Sequence, residues 1–174
     1  LLFWIVAFAG LLYGGFWFVA SSALRTGAEA ALIDLRTRQL GDAGAITVQG
    51  FPSRLDLTVT APRLAFPDGQ VAWSAPFLQV FALTYQPNRI IAVWPHEQTL
   101  TTPAGTASIT TTDMRASVTF GASLSLPLDH ATLIAKDGRI VTGTGATGAF
   151  TEARFATRLV GAPTAHDIGV EILG

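Results

Sequence analysis

The sequence predicts a mainly β protein. An N-terminal transmembrane helix (residues 1–24) runs into an amphipathic membrane-exit helix (25–41), and an elongated, curved antiparallel meander sheet (42–174) comes after it. Three observations carry this reading. Leu1 to Leu24, LLFWIVAFAGLLYGGFWFVASSAL, holds no charged residue. The next stretch keeps a helical period while gaining charges. From Ala45 onward the chain breaks into short alternating runs punctuated by Pro and Gly, the pattern of strands joined by turns.

The totals bound the function classes. A chain of 174 residues is long enough for one domain with its own core. With 11 basic and 12 acidic residues the net charge is −1, so there is no basic field to hold nucleic acid. Cysteine is absent, which removes disulfides, thiolate catalysis and cysteine-ligated metals and leaves the redox compartment open.

The apolar segment has the length of a membrane span. At about 1.5 Å per residue it reaches roughly 36 Å, against a hydrocarbon core of about 30 Å. Leu, Ile, Val and Phe fill half of it, each worth roughly −0.3 to −0.6 kcal/mol near the bilayer centre. A cleaved signal peptide, for which Ala20, Ser21 and Ser22 offer a cut site, fits less well, because its apolar region is about 7 to 15 residues. Gly10 and Gly14 form a small-xxx-small pair that Ala7 and Ser21 extend along one helical face, with Trp17 interrupting it; such a face lets a helix of a larger membrane complex approach closely. Arg25, Arg36 and Arg38 are balanced by Glu29, Asp34 and Asp42, so flanking charge gives no direction. A single N-terminal span usually exports the chain behind it, which places the bulk of this protein in the periplasm of a bacterium, anchored in the inner membrane.

Leu24, Ala28, Ala31, Leu32, Leu35 and Gln39 continue the helical period, with Gly41 as a stop. Ala45 to Gln49 then reads as a strand broken by Gly50-Phe51-Pro52. Arg54 to Ala61 alternates strictly, with Leu55, Leu57 and Val59 on one face and Asp56, Thr58 and Thr60 on the other. Pro62 ends it, and Pro67-Asp68-Gly69 supplies a turn before Val71 to Ala75. Phe77 to Thr84 and Ile90 to Trp94 are apolar on both faces and read as central strands, joined into a hairpin by Pro87-Asn88. Their side chains Phe77, Val80, Phe81, Leu83, Tyr85, Ile91, Val93 and Trp94 are the candidates for a lipid or partner groove. Thr106 to Thr112 and Met114 to Phe120 are the next strands. Asp137-Gly138 reads as a two-residue hairpin turn between Ala131–Lys136 and Arg139–Thr142. Phe155 and Leu159 alternate with Arg154 and Arg158, and Ile168 to Leu173 forms the last strand.

No catalytic constellation emerges. Gly143, Gly145 and Gly148 spell G-x-G-x-x-G, but a dinucleotide fingerprint opens a helix in a βαβ unit, and here the neighbours alternate as strands. His96, His130 and His166 are isolated, without metal-ligand spacing. Asp129-His130 and His166-Asp167 are adjacent along strands, where successive side chains point to opposite faces. Ser123 and Ser125 lack a nucleophile elbow. Trp94-Pro95-His96 reads as packing at a strand end. The expectation is a protein without catalytic residues, cofactor or metal.

The stretches GFPSRLDLTVTAPRLAFPDG (50–69) and VAWSAPFLQVFALTYQPNRIIAVWP (71–95) resemble a family of bacterial single-span, periplasm-facing membrane proteins of unknown function. The resemblance covers Leu1 to Thr119 and is most specific at Gly50-Phe51-Pro52 and from Tyr85 to Pro95. The family is broadly similar to bridge-like lipid-transfer proteins of bacterial envelopes, which implies an anchor, then an elongated β groove, and no catalytic residues. Two functions are expected on these grounds. The first is a non-enzymatic accessory that docks on a larger membrane complex through its span. The second is an envelope lipid-binding or lipid-transfer protein holding acyl chains in the groove.

Overall fold

A computed structural model describes residues 1–66, 69–121, 127–160 and 165–174. The chain is one long helix and then a single antiparallel sheet, mainly β and curled into a half-barrel.

Helix α1 spans Leu2–Thr37 without interruption, so the apolar segment and the amphipathic segment are one rod. It is long and apolar enough to cross a membrane, with a mean hydropathy of 1.9 over its most apolar window. The Arg25–Glu29 and Asp34–Arg38 pairs, at 2.8 and 3.0 Å, support its polar half at i, i+4 spacing. The helix stops before the expected Gly41. Gln39 takes a left-handed conformation, φ 59°. Its N–H then bonds the Arg36 carbonyl and the Leu40 N–H the Leu35 carbonyl, a Schellman closure built without glycine. Gly41 opens a strand instead, and a Cβ there would meet the Arg63 carbonyl at 2.8 Å.

The sheet contains β1 (Gly41–Asp42), β2 (Ile46–Gln49), β3 (Arg54–Thr60), β4 (Arg63–Ala65), β5 (Ala72–Ser74), β6 (Phe77–Leu83) and β7 (Gln86–Val93). β8 (Glu97–Thr102), β9 (Gly105–Thr110), β10 (Asp113–Phe120), β11 (Leu128–Thr142), β12 (Thr147–Leu159) and β13 (His166–Leu173) complete it. All pairings are antiparallel. One branch runs β2-β3-β6-β7-β10, another runs β1-β4-β5-β8-β9, and both meet β11, beyond which lie β12 and β13. The two branches are halves of the same long strands. β2 follows β1, β4 follows β3, β6 follows β5, β8 follows β7 and β10 follows β9 after two or three residues each. The result is a meander of long strands crossed by one crease.

Sequence chemistry explains the crease. It runs through Ala61-Pro62, Ala75-Pro76, Trp94-Pro95, Thr111-Thr112 and Asp137-Gly138. Three of these dipeptides end in proline, which has no N–H for the ladder. Pairing persists across the bend, as Ala61 N–H to Pro76 O at 2.7 Å and Trp94 N–H to Met114 O at 3.0 Å. Pro62, Ala75, Pro95, Thr111 and Gly138 are all buried there.

Several expected boundaries move. Asp137-Gly138 is not a hairpin turn. β11 runs straight through it, Asp137 taking φ 47° as a local kink while Gly138 sits opposite Phe150, whose ring occupies the space a Cβ would need. The turn falls at Gly143 to Ala146, where the Thr142 N–H bonds the Ala146 carbonyl. Pro87-Asn88 lies inside β7, and the β6–β7 connection is Thr84-Tyr85, because Leu83 pairs with Gln86 after a register shift. β4 and β8 were not anticipated, being short or Thr-rich continuations past a proline. Pro67 and Asp68 lie outside the described residues.

Candidate functional site

Ladder register assigns every side chain in the β2–β3–β6–β7–β10–β11–β12–β13 path to one of two faces, because directly paired residues point the same way. Val48 pairs with Leu57, Leu57 with Val80, Val80 with Ala92 and Ala92 with Ala116. Ala116 continues to Leu133, Phe155 and Val170. That row crosses eight strands, from β2 to β13, without a polar side chain. The next row runs from Leu55 through Ala82, Ile90, Val118 and Ala131 to Thr157 and Ile168, and only Thr157 is polar.

This apolar face is the inner one. Ile46, Leu55, Leu57, Ala116 and Ala135, the buried aliphatic positions of these strands, all lie on it. Helix α1 touches only β1, β2 and β3, so burial of Ala116 and Ala135 comes from the curl of the sheet itself. The crease also buries polar side chains, Thr111 and, on this face, the Gln98 amide. The amide accepts from Trp73 Nε1 at 2.9 Å and donates to Met114 Sδ at 3.1 Å, so it is satisfied.

The register divides the groove residues expected from sequence. Val80 lies on the inner face. Phe77, Phe81, Leu83, Ile91 and Val93 pair with Thr60, Asp56, Arg54, Ser117 and Arg115 and lie on the outer face. Tyr85 is in the β6–β7 turn and Trp94 is half-buried at the crease. Strands apolar on both sides give no clue to which side is inward, whereas Leu55, Leu57, Leu133, Phe155 and Val170, the larger inner residues, sit in strands whose polar alternation marks the face.

A cavity of about 470 Å³ is lined by Phe81, Leu83, Ile91 and Ser117 of the outer face together with Ala82 and Ile90 of the inner row, with Arg54, Gln86 and Arg89 around it. Arg54 reaches Asp56 at 2.5 Å and stands 5.9 Å above the Phe81 ring. Arg89 is exposed and forms no ion pair among the described residues.

Of the residues expected to dock on another helix, Ser21 is buried while Ala7, Gly10 and Gly14 are not, and their neighbours Tyr13 and Trp17 hold the helix to the chain's own sheet. Trp17 Nε1 donates to the Arg54 carbonyl at 2.8 Å and its ring meets Phe51 edge-on at 5.4 Å. Tyr13 Oη lies 3.0 Å from both the Pro52 carbonyl and the Thr84 hydroxyl. Ser21 is buried, its hydroxyl donating to the Phe18 carbonyl. A Cβ on Gly10 or Gly14 would meet nothing within 4 Å, and Ala7 and Gly10 stand beyond the last contact with the sheet.

Among the described residues no group of three His, Asp or Glu is placed to hold a metal. Asp129 and His130, expected to point apart, touch at 3.1 Å, because both are exposed at the start of β11 and free to swing together. His96 Nδ1 lies 2.9 Å from the Thr111 carbonyl. Gly143 and Gly145 belong to the β11–β12 turn and Gly148 to β12. Ser123 and Ser125 lie outside the described residues.

Residues 17–174 match a family described as an uncharacterized protein conserved in bacteria, DUF2125. The chain belongs to that family. The match runs to the last residue, so the family likeness does not fade after Thr119 as the sequence motifs suggested, and it starts at Trp17, the first helix residue to bond the β3 backbone. No curated protein and no solved structure matches the chain.

Proposed function

We propose that this DUF2125 chain is a non-enzymatic, membrane-anchored protein of the bacterial envelope whose half-barrel holds acyl chains against its inner face in the periplasm. The observation that carries this reading is the uninterrupted apolar row from Val48 to Val170. A sheet serving only as a scaffold would cover such a face with a second layer, and exposed apolar patches of this kind mark ligand or partner surfaces. Mass spectrometry of lipids retained by the full chain after detergent purification tests it. Retained acyl lipid that is lost in Leu133→Asp supports the reading, and a lipid-free protein that takes up no fluorescent fatty acid sinks it.

A second reading, an accessory docked on a larger membrane complex, is favoured by Ala7 and Gly10, small residues standing clear of the sheet on α1. Native electrophoresis after mild extraction separates the two. Migration only as a free monomer removes the second.

A further inference from the structure

The contacts of Tyr13 and Trp17 set the level at which the sheet meets the helix. Both residues lie within the apolar half of α1, so the β2–β3 and β6–β7 tips stand beside membrane-type sequence rather than beyond it. The tips are suited to that depth. Phe51 and Tyr85 are 61% and 68% exposed, the aromatic side chains that favour the headgroup level. The carbonyls of Pro52, Ser53 and Arg54 are each met by a side-chain donor from Tyr13, Thr84 or Trp17, as backbone near hydrocarbon requires.

Immediately behind these tips lies the Phe81 cavity. Its floor is apolar, formed by Phe81, Leu83 and Ile91, and its rim carries Arg54 and Arg89. Asp56 neutralises Arg54, which leaves Arg89 as the rim's uncompensated cation among the described residues. An apolar floor beside a lone guanidinium at headgroup level matches one ligand. We propose that this cavity takes the phosphate of an anionic phospholipid from the bilayer that α1 crosses, Arg89 meeting the phosphate while Phe81 and Ile91 carry the start of an acyl chain. The site rests on α1 being a membrane segment and, although Ala82 and Ile90 also line it, is distinct from the inner row that runs from Val48 to Val170.

Native mass spectrometry of the detergent-solubilised full chain, titrated with dioctanoyl phosphatidylglycerol or dioctanoyl phosphatidylcholine, tests it. The anionic lipid binds about tenfold tighter, because the choline ammonium of phosphatidylcholine offsets its own phosphate and repels Arg89, whereas phosphatidylglycerol leaves its charge to the guanidinium. Arg89→Gln abolishes the preference and Arg89→Lys keeps most of it, while Arg139→Gln, exposed on β11 away from the cavity, leaves it intact. Because Arg89 is exposed, both variants fold, and circular dichroism verifies that. Equal affinity for the two lipids overturns the site, as does a preference that survives Arg89→Gln. Displacement of phosphatidylglycerol by an equal concentration of inorganic phosphate assigns the cavity to free anions and overturns the bilayer source.

Discussion

Along its first edge the sheet is covered: α1 lies on β1 and β2, and Ile46, Leu55 and Leu57 beneath it are under a tenth exposed. Along its last edge the same face is bare. Ile168, Val170 and Ile172 of β13 are 67%, 68% and 67% exposed although they pair in register with inner-face neighbours. Side-chain chemistry is alike at the two edges, so hydrophobicity alone does not decide what becomes core. What decides it is whether a second layer is within reach, and the helix reaches only three strands. The covered edge supplies stability, whereas the bare edge leaves its apolar side chains exposed.

That contrast can be broken by mutation. The largest effect belongs to the covered edge, where Leu57→Ala should cost about 2 to 4 kcal/mol in urea unfolding of the full chain in detergent. A loss below about 1 kcal/mol would show that the helix-side layer is not the core. Next comes the helix-to-sheet clamp. Trp17→Phe removes the N–H that the Arg54 carbonyl accepts, worth about 1 kcal/mol by the same measurement. Val170→Ser should move stability by no more than about 0.5 kcal/mol yet lower the lipid retained by the purified protein. If it instead destabilised strongly, the last edge would be folded core and the contrast would vanish.

The smallest effect is a titration. Arg36 binds the Asp42 carboxylate at 2.6 Å, and this hydrogen bond, aided by the Ala43 N–H, holds the Asp42 carboxyl below the usual carboxylate range. A lowered folded-state pKa means the contribution is complete above the ordinary carboxylate value and is lost as pH falls through the lowered one. Unfolding curves between pH 5 and pH 2 should therefore lose a slight acid limb in Asp42→Asn, and added salt should shrink the difference because the pair is exposed.

Much of this architecture was legible in the residues. The long charge-free run, the helical continuation through Leu35 and the strict alternation of Arg54 to Thr60 each reappear as α1 or β3. Two kinds of feature were not. Turns were misread where glycine or proline serves a different purpose, since Gly138 makes room for Phe150 and Pro87 sits within a strand. The candidate groove residues divide between the two faces because Phe77 to Leu83 is apolar on both, and only pairing with β3, whose faces differ in polarity, tells which side is inward.

The unbroken course of α1 gives the molecule a lever. Thirty-six residues without a kink make a rod of about 54 Å, so a tilt of about 10° at its apolar end displaces the other end by roughly 9 Å. The rod is fastened to the sheet from Tyr13 and Trp17, toward its middle, to Arg36 at its far end. Sheet and helix are therefore joined as one piece, and a change in the tilt of α1 is a change in the angle at which the half-barrel stands.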